Sequence, residues 1–112
     1  MESAPAPRQA AILFADIAGS TRLYETLGDA EALSTITHAL DVIRQVCEEH
    51  GGRVVKTIGD EAMAIFPNAA NAAYASITMQ TQVSGMKTSR GAPLAIHAGF
   101  HYGPVIVESK DV

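Results

Sequence analysis

The chain has 112 residues and a net charge of −4, enough for one domain with a modest core. Its 47% hydrophobic and 18% charged residues exclude a disordered chain. The mild acidity, with basic residues scattered, excludes an electrostatic nucleic-acid binder. Cys47 is the one cysteine, so there is no internal disulfide and a reducing compartment fits.

The start, MESAPAPRQA, has no apolar h-region and so is not a secretory signal. Residues 1–9, with Pro5 and Pro7, read as a flexible leader or the tail of a linker. No apolar run approaches the roughly 18 residues of a membrane span, so the expected location is the cytoplasm with no membrane contact from this segment. Residues 11–15 are a continuous apolar run, as in a strand covered on both faces. Gly19, Ser20 and Thr21 are helix-entry residues, and 22–27 form a short helix that Gly28 and Asp29 interrupt.

Over 30–50 the apolar residues Leu33, Ile36, Leu40, Ile43 and Cys47 recur at spacings of three and four. That pattern predicts an amphipathic helix, stopped by Gly51 and Gly52, with Cys47 as a small core residue. Residues 53–58 (RVVKTI) and 61–66 (EAMAIF) read as two strands of a hairpin turning at Gly59 and Asp60. Pro67 and Asn68 punctuate, 68–86 is a second long helix, and 87–93 a loop. Residues 94–101 then form a strand, Tyr102, Gly103 and Pro104 a turn, and 105–108 the start of another strand. The series β-α-β-β-α-β predicts an α+β, ferredoxin-like antiparallel sheet with helices on one face.

In such a sheet the first strand and the hairpin lie side by side, so Asp16 at the strand's end falls near Asp60 in the turn. Two carboxylates at one edge suit hard divalent cations such as magnesium, which takes a few carboxylate oxygens plus water and phosphate oxygens. Each also has an ordinary reading: Asp16 as an N-cap, with Ser20 and Thr21 as competitors, and Asp60 as a plain hairpin-turn residue. The segment after Asp16 places Gly19 before a helix N-terminus, a natural phosphate seat. Glu61 is expected to point to the face opposite Asp60. His97 and His101 share a strand face without a third ligand. His38 and His50 read as helix surface and helix end, and Tyr74 and Met79 as helix packing.

The motifs FADIAGSTRL, VVKTIGDEAMAIF and IHAGFHYGPVIVESKDV resemble, in order and spacing, those of the class III nucleotidyl cyclase catalytic domain, the adenylate and guanylate cyclase family. The likeness runs over residues 10–112. It implies that Asp16, Asp60 and the backbone carbonyl of Ile17 hold two Mg2+ or Mn2+ ions, and that Ala18, Gly19, Ser20 and Thr21 cradle the triphosphate. By itself Lys56 reads as a solvated strand lysine; the resemblance makes it the purine-reading lysine, with Asp111 as its acidic partner. A Lys–Asp pair matches adenine, since lysine donates to ring N1 and the carboxylate accepts from the exocyclic amine, whereas guanylate members typically carry Glu and Cys. The implied reaction is ATP to cyclic AMP and pyrophosphate in a head-to-tail homodimer.

Two departures accompany the likeness. Ser20 stands where members often have Phe. The family also continues past the position of Asp111 with a helix carrying an asparagine and an arginine, so the resemblance implies an incomplete domain, inactive alone. A nucleotide-binding or dimerisation remnant is one alternative. A diguanylate cyclase is another, but the segment after Asp16 lacks the Asp-rich and Phe-Lys pattern of those enzymes.

Overall fold

A computed structural model of the chain describes residues 8–86, 88, 91 and 94–105. The elements in chain order are β1 (Arg8–Ile17), α1 (Ser20–Leu27), α2 (Asp29–Glu49), β2 (Arg53–Ile58), β3 (Glu61–Phe66), α3 (Ala69–Gly85) and β4 (Ile96–Val105). The four strands form one sheet in the order β2-β3-β1-β4, and every neighbouring pair is antiparallel. This is the ferredoxin-like arrangement expected from the element series.

The period-two alternation of β1 builds two different surfaces. Ala11, Leu13, Ala15 and Ile17 face α2 and α3, where they join Ile36, Ala39, Ile43, Val46, Cys47, Ala72, Ala75, Met79 and Val83 in the main core. Alanines at many of these contacts let the helices approach the sheet closely. The intervening residues Ala10 and Ile12 turn the other way and pack with Met63 and Ile65, flanked by Val55 and Val105. Among the described residues no helix covers this second, open face. No helix of the described residues is long and apolar enough to cross a membrane.

Helix ends follow local chemistry. Gly51, at φ 80°, takes the left-handed position after α2; its N–H donates to the Glu48 carbonyl at 3.2 Å, and that of Gly52 to the Cys47 carbonyl at 2.8 Å. Those two bonds are a Schellman stop. Gly52 is needed for a second reason, because a Cβ there would run into the Phe66 ring. Asn68 caps α3, its side-chain oxygen accepting from the Asn71 N–H at 2.8 Å.

Three expectations are corrected. β1 begins at Arg8, so Arg8 and Gln9 lie in a strand, paired with Val105 and Pro104, and not in a leader. α1 begins at Ser20, two residues earlier than expected. The anticipated turn at Tyr102, Gly103 and Pro104 does not form; β4 runs through them as one strand. The extension of β1 supplies partners for these residues, and the ladder tolerates the proline. The Ala18 N–H to Ala95 O bond of 2.9 Å sets the phase in which odd-numbered β1 residues make non-hydrogen-bonded pairs with β4. Pro104, opposite Gln9, therefore needs no N–H toward β1. The expected strand start at 105–108 lies largely outside the described residues.

Candidate active site

Asp16 is the penultimate residue of β1, on the open face, and is half-buried. It does not cap the next helix: the N-cap of α1 is Gly19, at φ 73°, with no side-chain cap bond. Asp60 occupies the second place of the turn between Ile58 and Glu61, which are paired residues of β2 and β3. Gly59 before it has φ 58° and among the described residues no non-glycine residue has positive φ, the pattern of a turn that reserves its first central position for glycine. Asp60 is thus a turn residue and is also brought to Asp16.

The contact between them is made by backbone. The Ile17 N–H donates to the Asp60 carbonyl at 3.1 Å, while on the other side the Ala18 N–H donates to Ala95 O at 2.9 Å. The end of β1 is therefore clamped between the hairpin turn and the approach to β4. In an extended chain the N–H and C=O of one residue point to the same edge, so the Ile17 carbonyl is also directed toward the turn. The β1–β3 register ends at Asp16 opposite Glu61, leaving that carbonyl beyond the last strand pair. Among the described residues neither the Asp16 nor the Asp60 carboxylate has a side-chain hydrogen bond or an ion pair.

The loop after β1 reaches the same place. A cleft of about 270 Å³ is lined by Ser20, Tyr24, Leu33, Ile36, Gly59 and Asp60, so the start of α1 and the hairpin turn share one wall. With no side chain capping α1, the first-turn N–H groups of Ser20 and Thr21, beside Gly19, remain suited to an anion. Ala18 differs from the expected set, since its N–H is engaged by Ala95. A cavity of about 300 Å³ near Gln9, Arg53, Phe66 and Pro67 lies at the opposite end of the strands, away from both aspartates.

Lys56 reaches the open face through a register irregularity between Val54 and Lys56. Val54 packs toward the helices, whereas Val55 joins the open-face cluster. Strict alternation would send Lys56 back toward the helices; the bulge instead sets it opposite Met63, itself paired with Phe14. Lys56 and Asp16 consequently share a face two strands and one row apart, roughly 12 Å by strand spacing and rise. Asp111 lies outside the described residues.

Glu61 is the cross-strand partner of Asp16 and so lies on Asp16's open face, whereas Asp60 lines the cleft with Leu33 and Ile36 of α2. His97 is Asp16's partner on β4 and His101 is that of Ile12, which puts both histidines on the open face. Among the described residues no group of three or more His, Cys, Asp or Glu could hold a metal by itself. Cys47 is fully buried; burial, with a smaller push from Glu48 against a pull from Arg44, raises its thiol to about 11. It is a core residue and not a nucleophile.

The sequence and the ferredoxin-like fold have known relatives. The family model of the adenylate and guanylate cyclase catalytic domain matches residues 3–110, and the chain belongs to that family. It is 32% identical over 93% of its length to an adenylate cyclase of Anabaena cylindrica, spanning 23% of that protein. It is 31% identical over 96% of its length to an adenylate cyclase of Lachancea kluyveri, spanning 7% of it. The structure of a bacterial light-regulated adenylyl cyclase superposes with a TM-score of 0.82 at 25% identity, covering 93% of this chain and 33% of that one. The chain thus spans under a quarter of these two curated relatives.

Proposed function

We propose that this chain is the cation- and phosphate-binding part of an adenylate cyclase catalytic domain that converts ATP to 3′,5′-cyclic AMP and pyrophosphate. The observation that carries this reading is the Ile17 N–H to Asp60 O bond of 3.1 Å, which holds Asp16, Asp60 and the start of α1 at one end of the sheet. The donor set fits Mg2+ or Mn2+: two carboxylates and a backbone carbonyl are hard oxygen ligands, and both ions keep positions for water and phosphate oxygens. Divalent ions held there supply activation of the attacking oxygen and charge for the leaving phosphate.

The chain's own groups do the rest. N–H groups at the start of α1 hold the triphosphate and orient its α-phosphorus. The ribose 3′ oxygen attacks that phosphorus, losing its proton, as the bond to the bridging oxygen of pyrophosphate breaks. Lys56 donates to adenine N1 and Asp111 accepts from the exocyclic amine. The enzyme is a head-to-tail homodimer in the cytoplasm, its partner copy supplying the asparagine and arginine that the family places in a later helix.

The test is a cyclase assay with ATP, GTP and Mn2+ on the chain and on any longer form of the protein. Cyclic AMP from either, lost in Asp16→Ala, supports the reading. Cyclic GMP from GTP alone would reverse the base assignment, and cyclic di-GMP would sink the cyclase reading altogether. Protein that binds ATP in every form tested but turns over none of it would favour the nucleotide-binding remnant.

A further inference from the structure

On the open face Asp16 is flanked by Glu61 on β3 and His97 on β4. The two neighbours are not equivalent. The Ile17 N–H to Asp60 O bond makes odd-numbered β1 residues hydrogen-bonded toward β3, so Asp16 and Glu61 form a non-hydrogen-bonded pair, the kind in which side chains approach most closely. The Ala18 to Ala95 bond gives Asp16 and His97 the wider pairing. Two carboxylates thus stand directly opposite, with Cβ atoms about 5 Å apart, an arrangement that costs stability in a sheet.

Glu61, like Asp16, has no side-chain hydrogen bond or ion pair among the described residues. Lys56 is one row away, opposite Met63. The hairpin turn sets Glu61 against Ile58, and the separate β1–β3 register sets it against Asp16. An unfavourable local choice kept at the functional end of a sheet calls for a compensating partner.

We infer that Glu61 is a positioning residue of the cation site, adding negative charge beside Asp16 without itself being a ligand. The cation-free chain then holds a like-charge contact that a bound divalent cation relieves. This rests on the cation reading of Asp16 and Asp60. It requires stability and cation affinity to respond to Glu61 in opposite directions, which a merely structural glutamate would not produce.

The test is Mn2+ titration of the 112-residue chain by water-proton relaxation, with thermal melts in the absence of cation, for wild type, Glu61→Gln, Glu61→Asp and Asp16→Asn. Expected is that Glu61→Gln weakens Mn2+ binding about threefold and raises the melting temperature of the cation-free chain, while Glu61→Asp stays near wild type in both. Unchanged Mn2+ affinity in Glu61→Gln, or a fall in both affinity and melting temperature, overturns the role of Glu61. If Asp16→Asn abolishes Mn2+ binding in that same experiment, the cation reading survives such a failure. Mn2+ binding that Asp16→Asn leaves intact overturns both together.

Discussion

Leu13 and Phe14 are neighbours on β1, yet they belong to different surfaces. Leu13 is 0% exposed beneath the helices, whereas Phe14 is 45% exposed on the open face. The helix side is a closed core of aliphatic and small residues, in which every position is judged by volume. The open side has only a four-residue buried cluster, and its site end carries Asp16, Glu61 and His97 in one row. One surface holds the fold and the other presents chemistry, on the same strand, because successive side chains point oppositely. A substitution beneath the helices should therefore read out mainly in stability, and one in the site row mainly in activity or cation binding.

The largest separation is expected at Asp16. On the proposed function, Asp16→Ala should lower cyclase activity by more than about 100-fold, as loss of a charge-stabilising group does. The urea midpoint should hardly move, since Asp16 is half-buried and outside both apolar clusters. A large drop in stability would break the division between faces. The second test pairs the neighbours: Leu13→Ala should cost about 2–5 kcal/mol in urea unfolding, and Phe14→Ala clearly less, because much of its ring is already in water. Equal costs would mean that the open face is covered by something else in solution.

Gly52→Ala sharpens the helix side further. The added methyl meets the Phe66 ring, and overpacking of this kind costs about 1–3 kcal/mol; Gly52→Ala with Phe66→Leu should recover part of it. The smallest effect is electrostatic. With its thiol raised from 9.0 to about 11, Cys47 is neutral in the fold where the unfolded chain would ionise. Its contribution is fully present below pH 9 and lost as pH rises through about 11. Stability measured between pH 8 and 11 should thus fall less in Cys47→Ala than in wild type, after allowing for the lost volume.

Element types were readable along the chain because their signals are local. The three-and-four spacing through Leu33, Ile36, Leu40 and Ile43, the Gly51–Gly52 stop and the Gly59–Asp60 turn each act within a few residues. The strand ends were not readable. Tyr102, Gly103 and Pro104 look like a turn, and only pairing with a long β1 makes them strand. Of the candidate site, Asp16 and Asp60 were legible as carboxylates at matched points of the topology. The pairing of Glu61 with Asp16 was not, because it depends on register, and register is a property of two strands.

What the sequence by itself determined was the set of elements, their order and the chemical types at the site: carboxylates, a glycine before a helix, and a lysine on a β-branched strand. These follow from propensity, periodicity and turn chemistry, which are short-range. Tertiary structure decided which of them meet. The bulge at Val55 turned Lys56 onto the open face, the Ile17 to Asp60 bond joined strand end to turn, and antiparallel register set Glu61 against Asp16. The physical reason is that a one-residue change in pairing exchanges the two faces of a strand, and no single strand records which pairing it will adopt.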